Sequence, residues 1–158
     1  MAIPVLHILN SKGSAVITVR PDEPVTAIAH LLARHGIGAV PVVVDGGHVA
    51  GLVTERSIVE ALATRGADIG QLRAADIMTR DVPTATRSED IQSVARKMTH
   101  RHSRHVPIQD GAGQLVGLVS IGDIVKLRLE EAELLAREMQ SYIMQDSHAS
   151  VAPHPFAP

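Results

Sequence analysis

One eleven-residue stretch occurs twice. Leu115-Val116-Gly117-Leu118-Val119-Ser120-Ile121-Gly122-Asp123-Ile124-Val125 is echoed by Val49-Ala50-Gly51-Leu52-Val53-Thr54-Glu55-Arg56-Ser57-Ile58-Val59, 66 residues earlier. Each copy carries apolar residues around a glycine into a hydroxyl residue. That is the pattern of a buried strand passing directly into a capped helix. Ser120 and Asp123 have the spacing of an N-cap and its first-turn acid. Aligned without a gap, residues 16–63 and 82–129 agree at Val16/Val82, Thr18/Thr84, Glu23/Glu89, Ala29/Ala95, Val40/Val106 and Pro41/Pro107. They agree again at Gly47/Gly113, Gly51/Gly117, Leu52/Leu118, Val53/Val119, Ile58/Ile124 and Val59/Val125. Two copies are too few for a solenoid. The pattern predicts two units related by pseudo-two-fold symmetry, each covering the other's open sheet face.

Within a unit the order reads β-α-β-β-α. A helical turn at 4–9, with Pro4 near its start, precedes a loop at 10–14. A β-branched strand is predicted at 15–19, and Asp22 is placed to cap the following helix, Val25–His35. Gly36 ends that helix as a left-handed cap. Residues 38–44 are nearly all apolar and predict a strand buried on both faces. Asp45-Gly46-Gly47-His48 is a hairpin turn leading to a partner strand at 49–53 and a helix at 54–63. The connection, 64–81, holds a helical turn at 75–79 that resembles Leu6-His7-Ile8-Leu9. The second unit repeats the order: strand 82–85, helix Ile91–Arg101, strand 104–109, turn 110–113, strand 114–119, and a helix from Gly122 onward.

The fold class is therefore α/β of the α+β kind. Its predicted divisions are a lead-in at 1–14, a first repeat at 15–66, a linker with a short helix at 67–81 and a second repeat at 82–130. A helical extension follows at 131–145, and a disordered tail at 146–158. The last helix carries Leu127, Leu134, Leu135, Met139, Tyr142 and Ile143 among acids and bases. It either packs back on its own domain or forms a dimer contact.

Composition limits what such a pair can do. The 158 residues carry a formal net charge of -2, with one Phe, one Tyr and no Trp. Sequence-independent nucleic-acid binding wants basic excess and aromatic stacking platforms, so it is disfavoured. With no cysteine, disulfides, thiolate zinc sites and cysteine nucleophiles are excluded. No apolar run approaches a membrane span, and the N-terminus lacks the features of a signal peptide. A soluble cytoplasmic protein is expected.

Three features could carry chemistry. At the second strand-to-helix junction, free N–H groups and the helix dipole at Ser120 favour an anion, Gly122 admits a ligand close to the backbone, and Asp123 offers an acceptor for two sugar hydroxyls. Capping alone would also explain Ser120 and Asp123. The prolines in Val40-Pro41 and Val106-Pro107 mark edge or bulged strands whose backbone groups could read a flat heterocycle, or simply protect the edge. The run His100-Arg101-His102-Ser103-Arg104-His105 lacks the spacing and the fourth ligand of a metal site. Arg104 and His105 more plausibly meet an anion, with Lys12, Arg56, Arg80 and Lys126 as further phosphate partners or plain surface charge. No nucleophile–base constellation, zinc-helix motif or phosphate loop is present, so no catalytic residue is assigned.

The chain resembles a tandem pair of cystathionine-β-synthase (CBS) domains, or Bateman module, of the stand-alone bacterial type. The residues that carry the likeness are Val40-Pro41-Val42-Val43-Val44-Asp45, Gly51-Leu52-Val53-Thr54-Glu55-Arg56, Asp76-Ile77-Met78-Thr79, Arg104-His105-Val106-Pro107-Ile108 and Gly117-Leu118-Val119-Ser120-Ile121-Gly122-Asp123. They span about residues 5–130. The resemblance implies two clefts binding adenosine compounds: AMP, ADP, ATP, a dinucleotide such as NAD(H), or S-adenosylmethionine. It implies a second cleft of Thr84, Arg104, His105, Val106, Pro107, Ser120, Gly122 and Asp123, with the acid on ribose and basic groups on phosphate. A first cleft would hold Thr18, Gly38, Ala39, Val40, Pro41 and Thr54. There Ser57 replaces the acid, so the first cleft is expected to be weaker, empty or differently selective. The implied function is a non-enzymatic nucleotide sensor, homodimeric and acting on an unknown protein partner. The competing readings are a ligand-free structural or interaction module and, less favoured, a nucleotide hydrolase.

Overall fold

Both hairpins close in the same register, offset by the repeat. In the first, β1 (Ala39–Val44) pairs antiparallel with β2 (His48–Thr54), with Val40 opposite Val53 and Val42 opposite Gly51. In the second, β3 (His105–Gln109) pairs with β4 (Leu115–Ser120), with Val106 opposite Val119 and Ile108 opposite Gly117. Each ladder slips at the same place, between Val42 and Val43 and between Ile108 and Gln109. The structure is a computed structural model and describes residues 1–13 and 15–149.

The described residues divide into two units, the first ending at Ile121 and the second beginning at Gly122. Around the hairpins the first unit places α1 (Val5–Lys12), α2 (Val25–His35), α3 (Glu55–Arg65), α4 (Ala74–Ile77) and α5 (Ile91–Arg101). A 3-10 turn at Asp45–Gly47 closes the first hairpin, and another, Gly66–Gln71, follows α3. α6 (Ile121–Ala149) starts at the last residue of the first unit and otherwise lies in the second.

α2 and α5 are each 11 residues long and bury the same three positions, Val25, Ile28 and Leu32 against Ile91, Val94 and Met98. That spacing is one face of a 3.6-residue helix. α2 ends on Gly36 in the left-handed region, as predicted. α5 ends the same way on His102, the one non-glycine residue with positive φ among the described residues. β1 is buried at every position from Ala39 to Val42, on both faces as the apolar run predicts. Val40, Val42 and Val53 meet Val19, Ile28, Leu32 and Ala74 in one core cluster. Each of the valine, isoleucine and leucine side chains among them contributes about 1.5–3 kcal/mol by leaving water.

Four expectations are corrected. The strands predicted at 15–19 and 82–85 are each reduced to one parallel bridge, Val19 to Val42 and Ala85 to Ile108. The prolines explain this. Val19 N–H donates to the Pro41 carbonyl at 3.0 Å and Val43 N–H to the Val19 carbonyl at 2.9 Å. The next rung toward Ile17 needs an N–H on Pro41, which proline lacks. Ala85 and Pro107 repeat the arrangement at 3.1 Å. Second, the loop predicted at 10–14 is in part helix, because α1 runs on through Asn10 and Ser11 to Lys12. Third, Asp22 does not cap α2. Pro24 holds the N-cap position and the Val25 N–H donates to the Leu72 carbonyl at 3.0 Å. Fourth, the last helix reaches Ala149, past the predicted start of a disordered tail, and the rest of that tail, 150–158, lies outside the described residues.

The lead-in helices cross between repeats. The N–H groups of Val5 and Leu6 donate to the carbonyls of Glu89 and Arg87 at 2.9 Å, joining α1 to the start of α5. The N–H groups of Ala74 and Ala75 donate to Glu23 and Pro21 at 2.8 and 2.9 Å, joining α4 to the start of α2. So α1, first in sequence, serves the second repeat, and α4, from the linker, serves the first. The strand glycines make this possible. A Cβ on Gly117 would stand 2.7 Å from Leu9 Cδ2, and one on Gly51 would stand 2.7 Å from the Thr79 carbonyl oxygen. The hairpin tips also meet, through a bridge from His48 to Gln114 and a hydrogen bond between His48 Nδ1 and the Gly113 carbonyl at 3.2 Å. No helix among the described residues is long and apolar enough to cross a membrane.

Candidate functional site

Each strand-to-helix junction is held by a backbone hydrogen bond from the first helical N–H to the residue ahead of its hairpin's first strand. In the first, Thr54 is the N-cap of α3 and its Oγ1 accepts the Ser57 N–H at 3.1 Å. Ser57 Oγ reciprocates by accepting the Thr54 N–H at 3.2 Å and lies 3.1 Å from Thr54 Oγ1. Ser57 is only 8% exposed. The residue that replaces the acid therefore closes a capping box, and its hydroxyl is engaged within the protein. The Glu55 N–H, next in line, donates to the Gly38 carbonyl at 3.0 Å.

At the second junction the Ile121 N–H donates to the Arg104 carbonyl at 2.9 Å. This corrects the expectation of free N–H groups directly after Ser120, since the first of them is used to hold the entry to β3. His105 and Ser120 stand opposite each other at the open end of the second hairpin. Gly122 and Asp123 lie in the first turn of α6, in the second unit.

A cavity of about 750 Å³ opens in the first unit. One wall is the end of β2 and the first turns of α3, with Thr54, Arg56, Ser57 and Glu60. Another is the segment Asp81, Val82 and Pro83 ahead of α5. The third is the turn from α5 into β3, with Arg101, His102, Arg104 and His105. Its charges are mostly cationic. Arg56 Nε donates to Glu60 Oε1 at 2.9 Å, one helical turn away, and Arg101 forms an ion pair with Asp81. Arg104 has no ion-pair partner among the described residues. An apolar floor of Leu52, Met98 and Ile121 beside three guanidinium groups suits a flat heterocycle carrying negative charge.

The segment beneath the second wall is held by Lys97. Its Nζ donates to the Thr84 carbonyl at 2.9 Å and to Glu89 at 2.7 Å. Burial pushes the Glu89 carboxyl up, but hydrogen bonds from Lys97 and Ser93, the Lys97 charge and the Thr86 backbone outweigh it and hold Glu89 below its ordinary value.

Of the residues predicted from sequence, the structure brings Thr54, Arg104 and His105 to this one cavity. Gly38 adjoins it in the sense that a Cβ there would be 3.6 Å from Glu55 Oε2 and 3.7 Å from the His105 ring. Ala39, Val40 and Pro41 are buried in β1, Val106 and Pro107 are buried in β3, and Thr18 is exposed. Thr84 is half-buried, its carbonyl taken by Lys97. Among the suggested phosphate partners Arg56 lines the cavity. Arg80 instead donates to the Ala75 carbonyl at 3.3 Å, and Lys12 Nζ to the Leu118 carbonyl at 2.9 Å. Sequence reasoning did not find Glu60, Asp81, Arg101 or His102 as cavity residues. The Arg56-to-Glu60 spacing of four was visible as a helical ion pair. The Asp81–Arg101 pair spans 20 residues and leaves no local signal.

Comparison with known proteins places these features in a family. The CBS-domain profile matches residues 12–64 and 74–130. An uncharacterized protein of Methanopyrus kandleri is 30% identical over 127 residues, which are 80% of this chain and 65% of that protein. The chain thus spans slightly less than two thirds of that relative's length. The crystal structure of a CBS-domain-containing protein from Agrobacterium tumefaciens superposes with a TM-score of 0.76 at 38% identity, covering 80% of this chain and 99% of that one. A CBS domain pair solved in complex with 5′-methylthioadenosine and S-adenosyl-L-methionine gives a TM-score of 0.70 at 27% identity, covering 83% and 99%.

Proposed function

The chain belongs to the CBS-domain family, and from that premise we propose that it is a non-enzymatic regulatory module that binds an adenine nucleotide: AMP, ADP, ATP or NAD(H). The observation that carries this reading is the cavity of about 750 Å³, lined by Arg104 and His105 together with apolar Leu52, Met98 and Ile121. Its size falls within the range of small-molecule sites. The complex of a related pair with two adenosine compounds supports the ligand class. Arg104 and His105 take the phosphate. By likeness to the family's motif alone, Asp123 is the acid for ribose hydroxyls, with Ser120 and Gly122 beside it in sequence, and Thr84, Val106 and Pro107 belong to the adenine end; none of these six lines the cavity.

One nucleotide binds strongly per chain. The first repeat, with Thr18, Gly38, Ala39, Val40, Pro41 and Thr54, is the weaker half, because the Ser57 hydroxyl is engaged in the α3 capping box. Occupancy shifts the module between two states only by its difference in affinity for them, and a protein partner reads the shift. The exposed apolar residues Leu134, Leu135, Met139, Tyr142 and Ile143 of α6 support self-association as a homodimer.

The test is titration calorimetry with AMP, ATP and NADH on the wild type and on Asp123→Ala and Ser57→Asp proteins. Loss of a charged acceptor removes about 1.5–3 kcal/mol, so Asp123→Ala weakens binding roughly ten- to hundredfold. Unchanged affinity in that variant overturns the assignment. The capping box at Ser57 also favours a second reading, a ligand-free interaction module. Mass spectrometry of the denatured protein that releases no adenosine compound, together with no calorimetric binding, would establish it.

A further inference from the structure

We propose that the cavity selects a nucleoside polyphosphate and that Asp81 is its built-in competitor, occupying Arg101 until a ligand phosphate displaces it. The inference rests on the adenosine-site reading and adds the ligand's charge class and a specificity residue.

Three guanidinium groups line the cavity, on Arg56, Arg101 and Arg104, against two carboxylates, Glu60 and Asp81. Arg56 is paired to Glu60 and Arg101 to Asp81, while Arg104 has no ion-pair partner among the described residues. Arg104 is exposed, and a neutral nucleoside offers its guanidinium no anion to pair with. A single phosphate meets Arg104. A second and third phosphate need more cations, and the only further guanidinium groups on the cavity wall are those of the two ion pairs.

Both pairs are built to exchange. The Asp81 side chain is 88% exposed and Arg101 46%, and the Arg56–Glu60 pair is equally open, at 78% and 64%. Exposed pairs of this kind are worth little. A phosphate offers a guanidinium a bidentate, charge-assisted contact that is stronger than a solvated carboxylate can give. Exchange at Arg101 also has a structural consequence. Asp81 lies two residues beyond Thr79, which exchanges backbone hydrogen bonds with Leu52 of β2 at 2.9 and 3.0 Å. Asp81 thus ties the end of α5 to the segment that joins the two repeats, through its carboxylate and through its carbonyl, which accepts from Arg101 Nη2 at 3.4 Å, so drawing Arg101 onto a ligand phosphate loosens both contacts.

The experiment is calorimetric titration of adenosine, AMP and ATP into the wild type, Asp81→Asn and Arg101→Ala proteins. In the wild type affinity rises from adenosine to AMP to ATP. Asp81→Asn removes the competitor and tightens ATP about 1.4- to fivefold, the exposed-pair range of about 0.2–1 kcal/mol converted at about 1.4 kcal/mol per tenfold. It leaves adenosine unchanged, and its gain shrinks as salt is raised. Arg101→Ala weakens ATP and leaves adenosine unchanged. ATP binding that is indifferent to both variants overturns this inference alone. Equal affinity for adenosine and ATP in the wild type does the same. No binding of any of the three compounds to the wild type overturns the adenosine-site reading and this inference with it.

Discussion

Two equivalent glycines should respond differently to the same methyl group. Gly51 and Gly117 occupy matching positions in β2 and β4, and neither has a positive φ, so alanine is allowed at both by backbone conformation. Alanine would stabilise each by about 0.4–1 kcal/mol through the unfolded chain if space permitted. Space is short at both. At Gly51 the new Cβ would lie 2.7 Å from the Thr79 carbonyl oxygen and 2.9 Å from Met78 Sδ. That oxygen accepts the Leu52 N–H at 3.0 Å, and the Thr79 N–H donates back to Leu52 at 2.9 Å. Relief therefore moves backbone and weakens two hydrogen bonds, which puts the cost near about 3 kcal/mol. At Gly117 the clash is with Leu9 Cδ2 at 2.7 Å and Cδ1 at 3.0 Å. A leucine end can turn, though Leu9 is only 4% exposed and has little room, so the cost is about 1–2 kcal/mol. After the unfolded-state gain, Gly51→Ala should lose about 2 kcal/mol and Gly117→Ala about 0.5–1. For a chain of this size these correspond to drops in Tm of about 6 °C and about 2 °C. Urea unfolding followed by far-UV circular dichroism, with unchanged slope, checks the order. Gly51→Ala as stable as the wild type, or Gly117→Ala falling further, would refute the crossed packing of α1 and α4.

Other perturbations follow from single contacts. Ser57→Ala removes one arm of the capping box and one partner of a buried hydroxyl, and should cost about 1–2 kcal/mol in urea titration; a neutral result would mean the box does not hold α3. Glu89 has a carboxyl held below its ordinary value of 4.5, so its contribution is present above that value and lost as pH falls through the lower folded value. The wild type should therefore lose stability below about pH 4.5 more steeply than Glu89→Gln, and parallel pH curves would contradict the Lys97 contact. His102→Gly should raise stability by up to about 1 kcal/mol, since a side chain at φ 50 is strained where the first repeat uses Gly36; a lower Tm would indicate that the His102 side chain contributes more than its strain costs.

The repeat made most of the fold legible. The pairing of residues 66 apart placed both hairpins, and the apolar spacing of α2 and α5 placed their buried faces, because both depend on local pattern. The lead strands were misread because β-branched residues at 15–19 do indicate a strand, while the rung they need is absent for a reason located at Pro41, more than 20 residues away. The crossing of α1 to the second repeat was not legible at all, since its hydrogen bonds reach from Val5 to Glu89. The candidate site was legible in part for the same reason. Thr54, Arg104 and His105 belong to repeated strand ends and could be picked out, whereas Asp81 and Arg101 are brought to the cavity by packing that no spacing announces.

The measurement that bears most directly on the account is a calorimetric titration of ATP into the wild type and Arg104→Ala proteins. Saturable binding near one molecule per chain is expected, weakened about tenfold or more when the Arg104 guanidinium, which lines the cavity and has no ion-pair partner among the described residues, is removed. No binding to the wild type, or equal affinity in the two proteins, would contradict it.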